Sequence, residues 1–321
     1  MKICIVGPGL MEIPPKGWGA CEILIHDYRC VLESFGHEIF IVNTPDKHQI
    51  IKQINTSRPD FVHIQYDDHI DIANHLLCKN IAITTHFAYL EQPHRWGGYA
   101  NIFNRIVNTP HVNIFSLSEA IGDIYKKYGV AAERIYITPN GVRTDLFKFK
   151  DQPNFPNKSI YLAKIDYRKR QHLFQHIEKL YFVGRQSDLR FDITNERYLG
   201  EWDKIHLYEN LTNYANLVLL SDGEAHPLVC LEALSAGLGL VISQYSTANL
   251  DTNLPFIDII PEDKMKNTEY ITNILKKNRE TSISLRQEIK EYANSFSWEK
   301  MVEKNHYISI KKILNNNGVR T

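Results

Sequence analysis

Short apolar runs alternate with segments of helical periodicity along the first half of the chain. The apolar runs predict strands at residues 2–7, 37–43, 60–66, 80–86, 112–118 and 134–142. The intervening segments predict helices at residues 20–36, 47–58, 71–78 and 119–129. Ser118 suits the N-cap of the last helix, because its hydroxyl can accept a hydrogen bond from a first-turn amide. Such regular alternation favours a doubly wound, largely parallel α/β sheet.

The second half repeats this alternation after a polar stretch with two prolines at residues 147–159, which is interpreted as a linker. Strands are predicted at residues 159–164, 181–185, 215–220 and 239–244, and helices at 169–180, near 202–214 and at 227–237. The final segment, from about Thr268 to Asn316, has helical character throughout. We therefore predict two Rossmann-like domains, residues 1–150 and 158–296, with a closing helix in residues 297–321.

Two acids, Glu224 and Glu232, straddle the junction between the strand at 215–220 and the helix that follows it. Pro227 suits the first helical position, and Gly237 suits the stop beyond the last turn. Glu224 is thus expected at the carboxyl end of a strand, where open α/β sheets bind ligands. The amides at a helix start carry a partial positive charge of about half an elementary unit, which suits phosphate. Two acids around such a position suit a ligand with hydroxyls at both ends, such as a sugar nucleotide.

Composition narrows the class of protein. The 321 residues are enough for two domains, and 37 Lys and Arg residues balance 37 Asp and Glu residues. This balance argues against a nucleic-acid partner recognised by bulk charge. No apolar stretch approaches the roughly 20 residues that cross a bilayer, and the opening strand is expected to leave no room for a signal peptide. Five cysteines without a C-x-x-C pair favour reduced thiols and a cytoplasmic location.

Residues 219–243 resemble the glutamate-x7-glutamate motif of retaining glycosyltransferases with the GT-B fold, specifically glycosyltransferase family 4. The resemblance implies that Glu224 contacts the hydroxyls of the donor sugar and that Glu232 holds the ribose of the nucleotide. By spacing alone, a solvated loop acid and a helix-surface acid would account for the pair. Further segments match the family in order along the chain, and together they favour the functional interpretation.

Residues 159–174 occupy the place of the family's G-R-x-x-x-x-K-G segment. Lys164 stands where the family has Arg, and Lys169 stands where it has Lys. The resemblance implies that both cations face the donor diphosphate and stabilise the charge that builds on the leaving nucleotide. Arg168 and Arg170 belong to the same basic run. Arg168 is a third candidate cation, but a solvated face is the preferred interpretation of both residues.

The loop at residues 14–22 resembles the P-P-x-x-x-G-G-x-E loop at the start of family members. Gly17, Gly19 and Glu22 preserve the pattern, although Trp18 interrupts the glycine pair. The resemblance implies a glycine-rich turn whose backbone approaches the donor and the acceptor.

His86 ends the strand at residues 80–86, at the point where a family histidine faces the transferred sugar near its reacting carbon. The resemblance therefore implies a place in the site, whereas an isolated histidine at a strand end is usually structural. His63 and Gln65 end the preceding strand and are weaker candidates for acceptor contacts.

Residues 116–147 resemble a long family segment that contains a P-N-G-V-D turn. Pro139, Asn140 and Gly141 have local reasons to form a sharp turn, since Asn-Gly tolerates positive φ. Arg143 replaces the usual Asp. A purely structural turn and a ligand-contacting turn are both open.

Asp67, Asp68, His69, Asp71 and His75 invite a metal-site interpretation, because Mg²⁺ and Mn²⁺ accept such ligands. The spacing fits neither a closed four-ligand site nor a D-x-D at a strand end. Loop and helix-cap duty is the preferred interpretation, and no metal is expected.

Two departures from the family pattern lie beside the motif. The usual E-x-F-G-L is replaced by Glu224-Ala-His226-Pro227-Leu228, and a G-G-x-x-E loop is replaced by residues 245–253. Pro227 removes one amide that relatives can offer the phosphate. The amides of Leu228 and Val229 must then bind the phosphate, aided by His226.

The resemblance runs from Met1 to about Ser246 and implies the GT-B layout: two Rossmann-like domains face each other across a cleft, and the last helix crosses back to the first. It implies that the first domain holds the acceptor and that the second holds the donor.

We therefore expect a retaining, metal-independent glycosyltransferase that moves a hexose-type sugar from a UDP- or GDP-sugar to a hydroxyl acceptor. The acceptor would be a glycan, a lipid-linked molecule or another glycoconjugate, and no cofactor is expected beyond the nucleotide-sugar co-substrate. Peripheral membrane contact is compatible with a lipid-linked acceptor, although no strongly basic amphipathic stretch indicates it. Two alternatives are another GT-B sugar-nucleotide enzyme, such as a hydrolysing epimerase, and a catalytically silent sugar-nucleotide binder.

Overall fold

The computed structural model describes residues 1–16 and 19–318, which form two compact units. The first unit comprises Met1–Gly141 and Trp298–Thr321, and the second comprises Val142–Ser297. Each unit contains one parallel sheet with its own helices. Two parallel α/β units in succession are the fold class that the sequence predicts.

The first unit contains a six-stranded sheet in the order β2-β1-β3-β4-β5-β6, with every neighbouring pair parallel. Its strands are β1 (Lys2–Val6), β2 (Glu38–Val42), β3 (Phe61–Ile64), β4 (Ile81–Thr84), β5 (Asn113–Ser116) and β6 (Ile135–Ile137). Its first four helices are α1 (Ala20–Ser34), α2 (Lys47–Ser57), α3 (Tyr99–Val107) and α4 (Glu119–Lys127). The strand order reverses between β1 and β3, and such switch points are where open sheets bind ligands.

The second unit contains a five-stranded sheet in the order β11-β10-β9-β7-β8, also parallel throughout. Its strands are β7 (Phe155–Leu162), β8 (Leu180–Val183), β9 (Tyr214–Leu219), β10 (Gly239–Ser243) and β11 (Ile257–Ile260). Its helices are α5 (Gln171–Phe174), α6 (Lys204–Asn210), α7 (Leu228–Ser235), α8 (Thr268–Ser284) and α9 (Arg286–Ala293). The switch point of this sheet lies between β7 and β9.

Continuous apolar runs form the central strands because helices cover parallel sheets on both faces. Four residues of β1 are fully buried: Ile3, Cys4, Ile5 and Val6. All six residues of β9 are buried, and Tyr214 alone among them has a small exposed fraction, 5%. The expected N-cap is also present, since Ser118 Oγ accepts from Ile121 N at 3.2 Å.

Several elements differ from those predicted. Residues 147–159 are not a free linker: Phe147 is buried, Lys148 N donates to Tyr208 O, and β7 already begins at Phe155. The helix expected at 71–78 is a 3₁₀ helix at Asp67–His75, where Tyr99 and Arg105 bind its acids. The elements α3 and β11 were not predicted.

The predicted helix start at Pro227 is displaced by one residue. Pro227 is the N-cap of α7 with an extended ψ of 97°, and its carbonyl accepts from Cys230 N. Gly237 does end the helix, with φ +82°. Further along, the helix predicted at 169–180 shrinks to the four residues of α5.

The last segment of the described chain belongs to the first unit and consists of α10 (Trp298–Met301), a π-helix at Val302–His306 and α11 (Tyr307–Asn316). His306 Nε2 lies 2.9 Å from the carbonyl oxygen of Pro139, and its ring packs against Tyr28 and Trp298. A Cβ on Gly141 would lie only 2.6 Å from Trp298 Cα. Packing therefore holds residues 139–141 in place. The predicted sharp turn is not present, because the segment is irregular and neither Asn140 nor Gly141 has a positive φ.

His306 and His63 are buried in this core as neutral rings. Burial lowers the pKa of His306 to about 4, even though its bond to Pro139 O acts in the opposite direction. Burial also holds the pKa of His63 well below its usual range, and the neighbouring His306 and His86 lower it further. Because an unfolded histidine binds a proton below about pH 6.5, acid favours the unfolded chain.

We predict that His306→Gln reduces the loss of stability between pH 7.5 and pH 5. A Gln amide can still donate to Pro139 O but does not titrate. The unfolding free energy of the natural chain should fall by about 2 kcal/mol more than that of the variant over this interval. Urea unfolding at the two pH values measures this difference. His48→Gln, at an exposed histidine, is the control, and equal losses in the His306 variant and the natural chain would contradict the prediction.

Arg286 on α9 joins several backbone segments of the second unit. It is 2% exposed, and its guanidinium donates to the carbonyls of Lys150 (2.8 Å), Tyr214 (3.1 Å), Thr212 (2.8 Å) and Ala236 (3.2 Å). Burial lowers the pKa of Arg286 to about 10. Ala236 is the C-cap of α7, so the Arg286 side chain stabilises the carboxyl end of the helix that carries Glu232.

We predict that Arg286→Met lowers the unfolding free energy by about 3 kcal/mol or more, because the buried carbonyls lose a charged donor. Gln287→Met places the same new side chain at the next, exposed position of α9. That control should change stability by about 0.5 kcal/mol or less. Chemical denaturation of both variants tests the difference, and similar values for the two would show that Arg286 has no special role.

Candidate functional site

Two loops meet at the switch point of the second unit, one after β7 and one after β9. Tyr161 on β7 is fully buried, and its hydroxyl joins these loops. The hydroxyl accepts from Leu220 N at 2.9 Å, just beyond β9, and donates to the carbonyl of Lys169. A second link runs from Asp222 N to the carbonyl of Arg168 at 3.0 Å. These hydrogen bonds hold the loop after β7, which carries Arg168 and Lys169, against the loop after β9, which carries Glu224.

Glu224 is held by two cations in this position. Lys169 Nζ donates to Glu224 Oε1, and Arg168 Nη1 lies 2.8 Å from the same oxygen. The side chains of Glu224 and Lys169 are each 10% exposed, and that of Arg168 is 27% exposed. Arg168 also donates to Gly223 O at 2.6 Å. The structure therefore brings together two predicted residues, Glu224 and Lys169, with an arginine that was not expected there.

The charges of this cluster favour an ionised carboxylate. Burial alone would raise the pKa of Glu224, but the Lys169 ammonium and the Arg168 guanidinium outweigh it and lower this pKa below its usual range. One carboxylate between two cations leaves a net positive charge in a poorly solvated position. Such a position suits an anionic ligand.

The interpretation of Arg168 and Arg170 as a solvated face is wrong. The Arg170 side chain is only 14% exposed and lies 2.9 Å from Glu262, with Asp222 at 3.8 Å. A usable signal was present in the sequence, since the basic run directly follows a strand that ends at a switch point. Open α/β sheets bind ligands at such positions.

Glu232 lies on α7 and pairs with a residue that sequence analysis missed. Lys204 Nζ is 2.5 Å from Glu232 Oε1, with side chains 31% and 14% exposed. Lys204 begins α6, whose N-cap Asp203 accepts from His206 N at 2.7 Å. The motif gives no hint of this partner, because Lys204 lies in a different helix, 28 residues earlier in the chain.

The other predicted residues of the second unit surround the same loops. Leu228 and Val229 form the first turn of α7, and His226, two residues before it, is 7% exposed. Lys164 is exposed just beyond β7, and its carbonyl accepts from Gln171 Nε2 at 2.9 Å. Lys164 thus lies on the loop after β7, next to the segment that carries Lys169.

His86, in the first unit, ends a chain of hydrogen bonds at the carboxyl edge of its sheet. His86 Nε2 lies 2.9 Å from Gln65 Oε1, Gln65 Nε2 lies 3.3 Å from His63 Nδ1, and His63 Nε2 lies 2.8 Å from Thr84 Oγ1. Burial lowers the pKa of His86 to about 4. With the Gln65 amide in this orientation, His86 is a neutral ring that donates from Nε2.

Gly19 is the N-cap of α1 and has φ +144°, a conformation that L side chains rarely adopt. A Cβ there would also lie 3.1 Å from Glu22 Oε2. The glycine that the family pattern requires is therefore required by the backbone here. Gly17 lies outside the described residues.

The acids of the segment at 67–75 have cationic or phenolic partners. Arg105 binds Asp68 at 2.7 Å and also contacts Asp71, Lys47 lies 3.1 Å from Asp71, and Tyr99 donates to Asp67 at 2.8 Å. Within residues 1–16 and 19–318, no group of three or more His, Cys, Asp or Glu side chains has the geometry to hold a metal ion.

Comparison with known proteins agrees with these features. Residues 23–146 match the family described as Glycosyltransferase Family 4. No curated protein matches the chain in sequence.

Solved structures match most of the chain at low identity. The Anabaena protein HepE in complex with UDP matches with a TM-score of 0.71 at 14% identity, covering 95% of this chain and 98% of that one. Sucrose-phosphate synthase from Thermosynechococcus elongatus gives 0.73 at 13% identity, with 94% and 96% covered. The lipopolysaccharide outer core galactosyltransferase WaaB gives 0.68 at 16% identity, with 99% and 100% covered.

The chain therefore has the fold of the GT-B glycosyltransferases. Residues 23–146 match the model of glycosyltransferase family 4, and the predicted fold is confirmed. Among the helices of the described residues, none is long and apolar enough to cross a membrane.

We predict that Tyr161→Phe lowers the unfolding free energy by about 1–3 kcal/mol, because the buried Leu220 amide loses the hydroxyl that accepts its hydrogen bond. Tyr167→Phe removes the same atom from a side chain that is 67% exposed, and it should leave stability unchanged. Urea unfolding compares the two variants. An unaltered Tyr161→Phe protein would mean that this hydroxyl does not fix the two loops.

Proposed function

We propose that the chain is a retaining glycosyltransferase that moves a hexose-type sugar from a UDP- or GDP-sugar to an acceptor hydroxyl, without a bound metal. The acceptor is a glycan, a lipid-linked molecule or another glycoconjugate. The observation that carries the proposal is the buried Glu224 carboxylate with Lys169 and Arg168, at the switch point of the second unit.

The second unit would hold the donor. Glu232 would bind the ribose hydroxyls and Glu224 the sugar hydroxyls, since ionised carboxylates accept hydrogen bonds from both. Lys164 and Lys169 would bind the diphosphate. The amides of Leu228 and Val229 at the start of α7 would add to this phosphate site, together with His226.

The reaction breaks the bond between the sugar's anomeric carbon and the diphosphate oxygen. Negative charge then builds on the leaving phosphate, and cations already fixed in a poorly solvated site stabilise that charge without reorganising. By the family resemblance, the departing phosphate oxygen takes the proton of the acceptor hydroxyl as the new bond forms. No side chain is assigned as general base.

The first unit would contribute His86, Gly19 and Gly17. A neutral His86 ring can exchange hydrogen bonds with a sugar hydroxyl near the reacting carbon, and burial keeps it neutral at physiological pH. The positive φ of Gly19 supports a tight turn, which would let backbone approach the ligand.

A UDP-linked donor is supported by two of the similar structures. HepE is described in complex with UDP and with UDP and glucose. Its site belongs to that protein. We propose the same class of donor for this chain because the two share a fold and because Glu224 and Glu232 resemble the two acids of the family motif.

We predict that a thermal-shift screen finds a UDP- or GDP-sugar that stabilises the protein, by about 2.7 kcal/mol at 100 times its dissociation constant.

Lys169→Met should lower the rate of sugar transfer at least about a hundredfold, because a buried charged contact to the leaving group is lost. Lys276→Met, at an exposed site on α8, is the matched control.

NMR of the glycoside product would show the same anomeric configuration as the donor. Free sugar released without an acceptor would instead indicate a hydrolase or epimerase. Nucleotide-sugar binding with no transfer to any acceptor would indicate a silent binder.

A further inference from the structure

Glu224 contacts both of its cations through one oxygen atom. Oε1 accepts from Lys169 Nζ and lies 2.8 Å from Arg168 Nη1. The third cation of the run, Arg170, is directed to Glu262 and Asp222 instead. Lys169 and Arg168 are therefore the two cations that this carboxylate engages in the described residues.

A diphosphate bound at the start of α7 would have to draw on these same cations. If Glu224 kept both of them, its carboxylate and the phosphate oxygens would share one poorly solvated position, and like charges repel strongly there. If the cations turned towards the diphosphate, the buried carboxylate would lose its partners, which is costly unless new donors replace them.

We propose that Glu224 and the diphosphate compete for Lys169 and Arg168, so that the site binds an intact nucleotide sugar in preference to the nucleoside diphosphate. The inference rests on the proposed function and extends it, because it makes Arg168 a donor-site cation. The hydroxyls of the sugar donate to Glu224 and release the two cations to the diphosphate.

The nucleoside diphosphate that remains after transfer lacks those hydroxyls. Once the sugar has left, Glu224 recovers its cations, and the nucleoside diphosphate loses part of its binding energy. The same carboxylate thus helps to select the substrate and to expel the product.

Calorimetric titration of the full chain with UDP, GDP, UDP-glucose and GDP-glucose tests this competition. Glu224→Gln keeps the shape of the side chain but no longer holds the cations by charge. The variant should bind the preferred nucleoside diphosphate roughly tenfold more tightly than the natural chain does. The advantage of the sugar-linked form over the diphosphate should shrink by a similar factor.

Glu262→Gln is the matched control, because it removes one negative charge from Arg170 without touching Lys169 or Arg168. It should change nucleoside diphosphate affinity far less. An equal gain in this variant would attribute the effect to overall charge and overturn the proposal. Unchanged or weaker diphosphate binding by Glu224→Gln would also overturn it, with the proposed function left intact.

Glu224→Asp provides a second test should the Gln variant fail to fold. The shorter side chain withdraws the carboxylate by one methylene, so it should tighten nucleoside diphosphate binding in the same direction by a smaller factor. Weaker diphosphate binding by this variant would contradict the competition. A natural chain that binds none of the four nucleotides would overturn the proposed function itself.

Discussion

A carboxylate that is taken out of water must be compensated by nearby donors, and this requirement organises the second unit. Glu224 follows β9, whereas Lys169 and Arg168 follow β7, so the compensation depends on two strands that are neighbours in the sheet but distant in sequence. The doubly wound order makes them neighbours. The Tyr161 hydroxyl then fixes the spacing between the two loops. Fold and site thus depend on each other, because the switch point brings the two loops together and the buried ion pairs hold Glu224 between them.

Much of the fold follows from the sequence because parallel strands are buried on both faces. Short, continuous apolar runs such as residues 2–7 are typical of strands buried on both faces. Their alternation with helical segments indicates a parallel α/β sheet. Prediction failed where tertiary contacts decide the outcome. Phe147 and Phe155 lie in a polar, proline-containing stretch, yet they pack within the second unit. The helix α3 was missed although the apolar residues within it recur with a clear helical period.

The candidate site was predictable to the extent that local motifs contain its residues. Glu224, Glu232 and Lys169 lie at positions that a strand-to-helix pattern and a family resemblance mark out. Their partners are of another kind. Lys204 reaches Glu232 from a separate helix, and Arg168 looked like part of a solvated run. Pairings between distant segments depend on where the strands lie in the sheet, and spacing along the chain does not encode that directly.

The first unit takes its core from two separated stretches of the chain, since Trp298 and His306 pack with Tyr28 and His306 Nε2 bonds to the carbonyl of Pro139. The ribosome completes the entire second unit before it synthesises residues 298–318. During that interval the first unit lacks the part of its core that Trp298, Ile310 and Leu314 supply, whereas every residue of the second unit has been made. The first unit can therefore complete its packing only after the whole second unit has been synthesised.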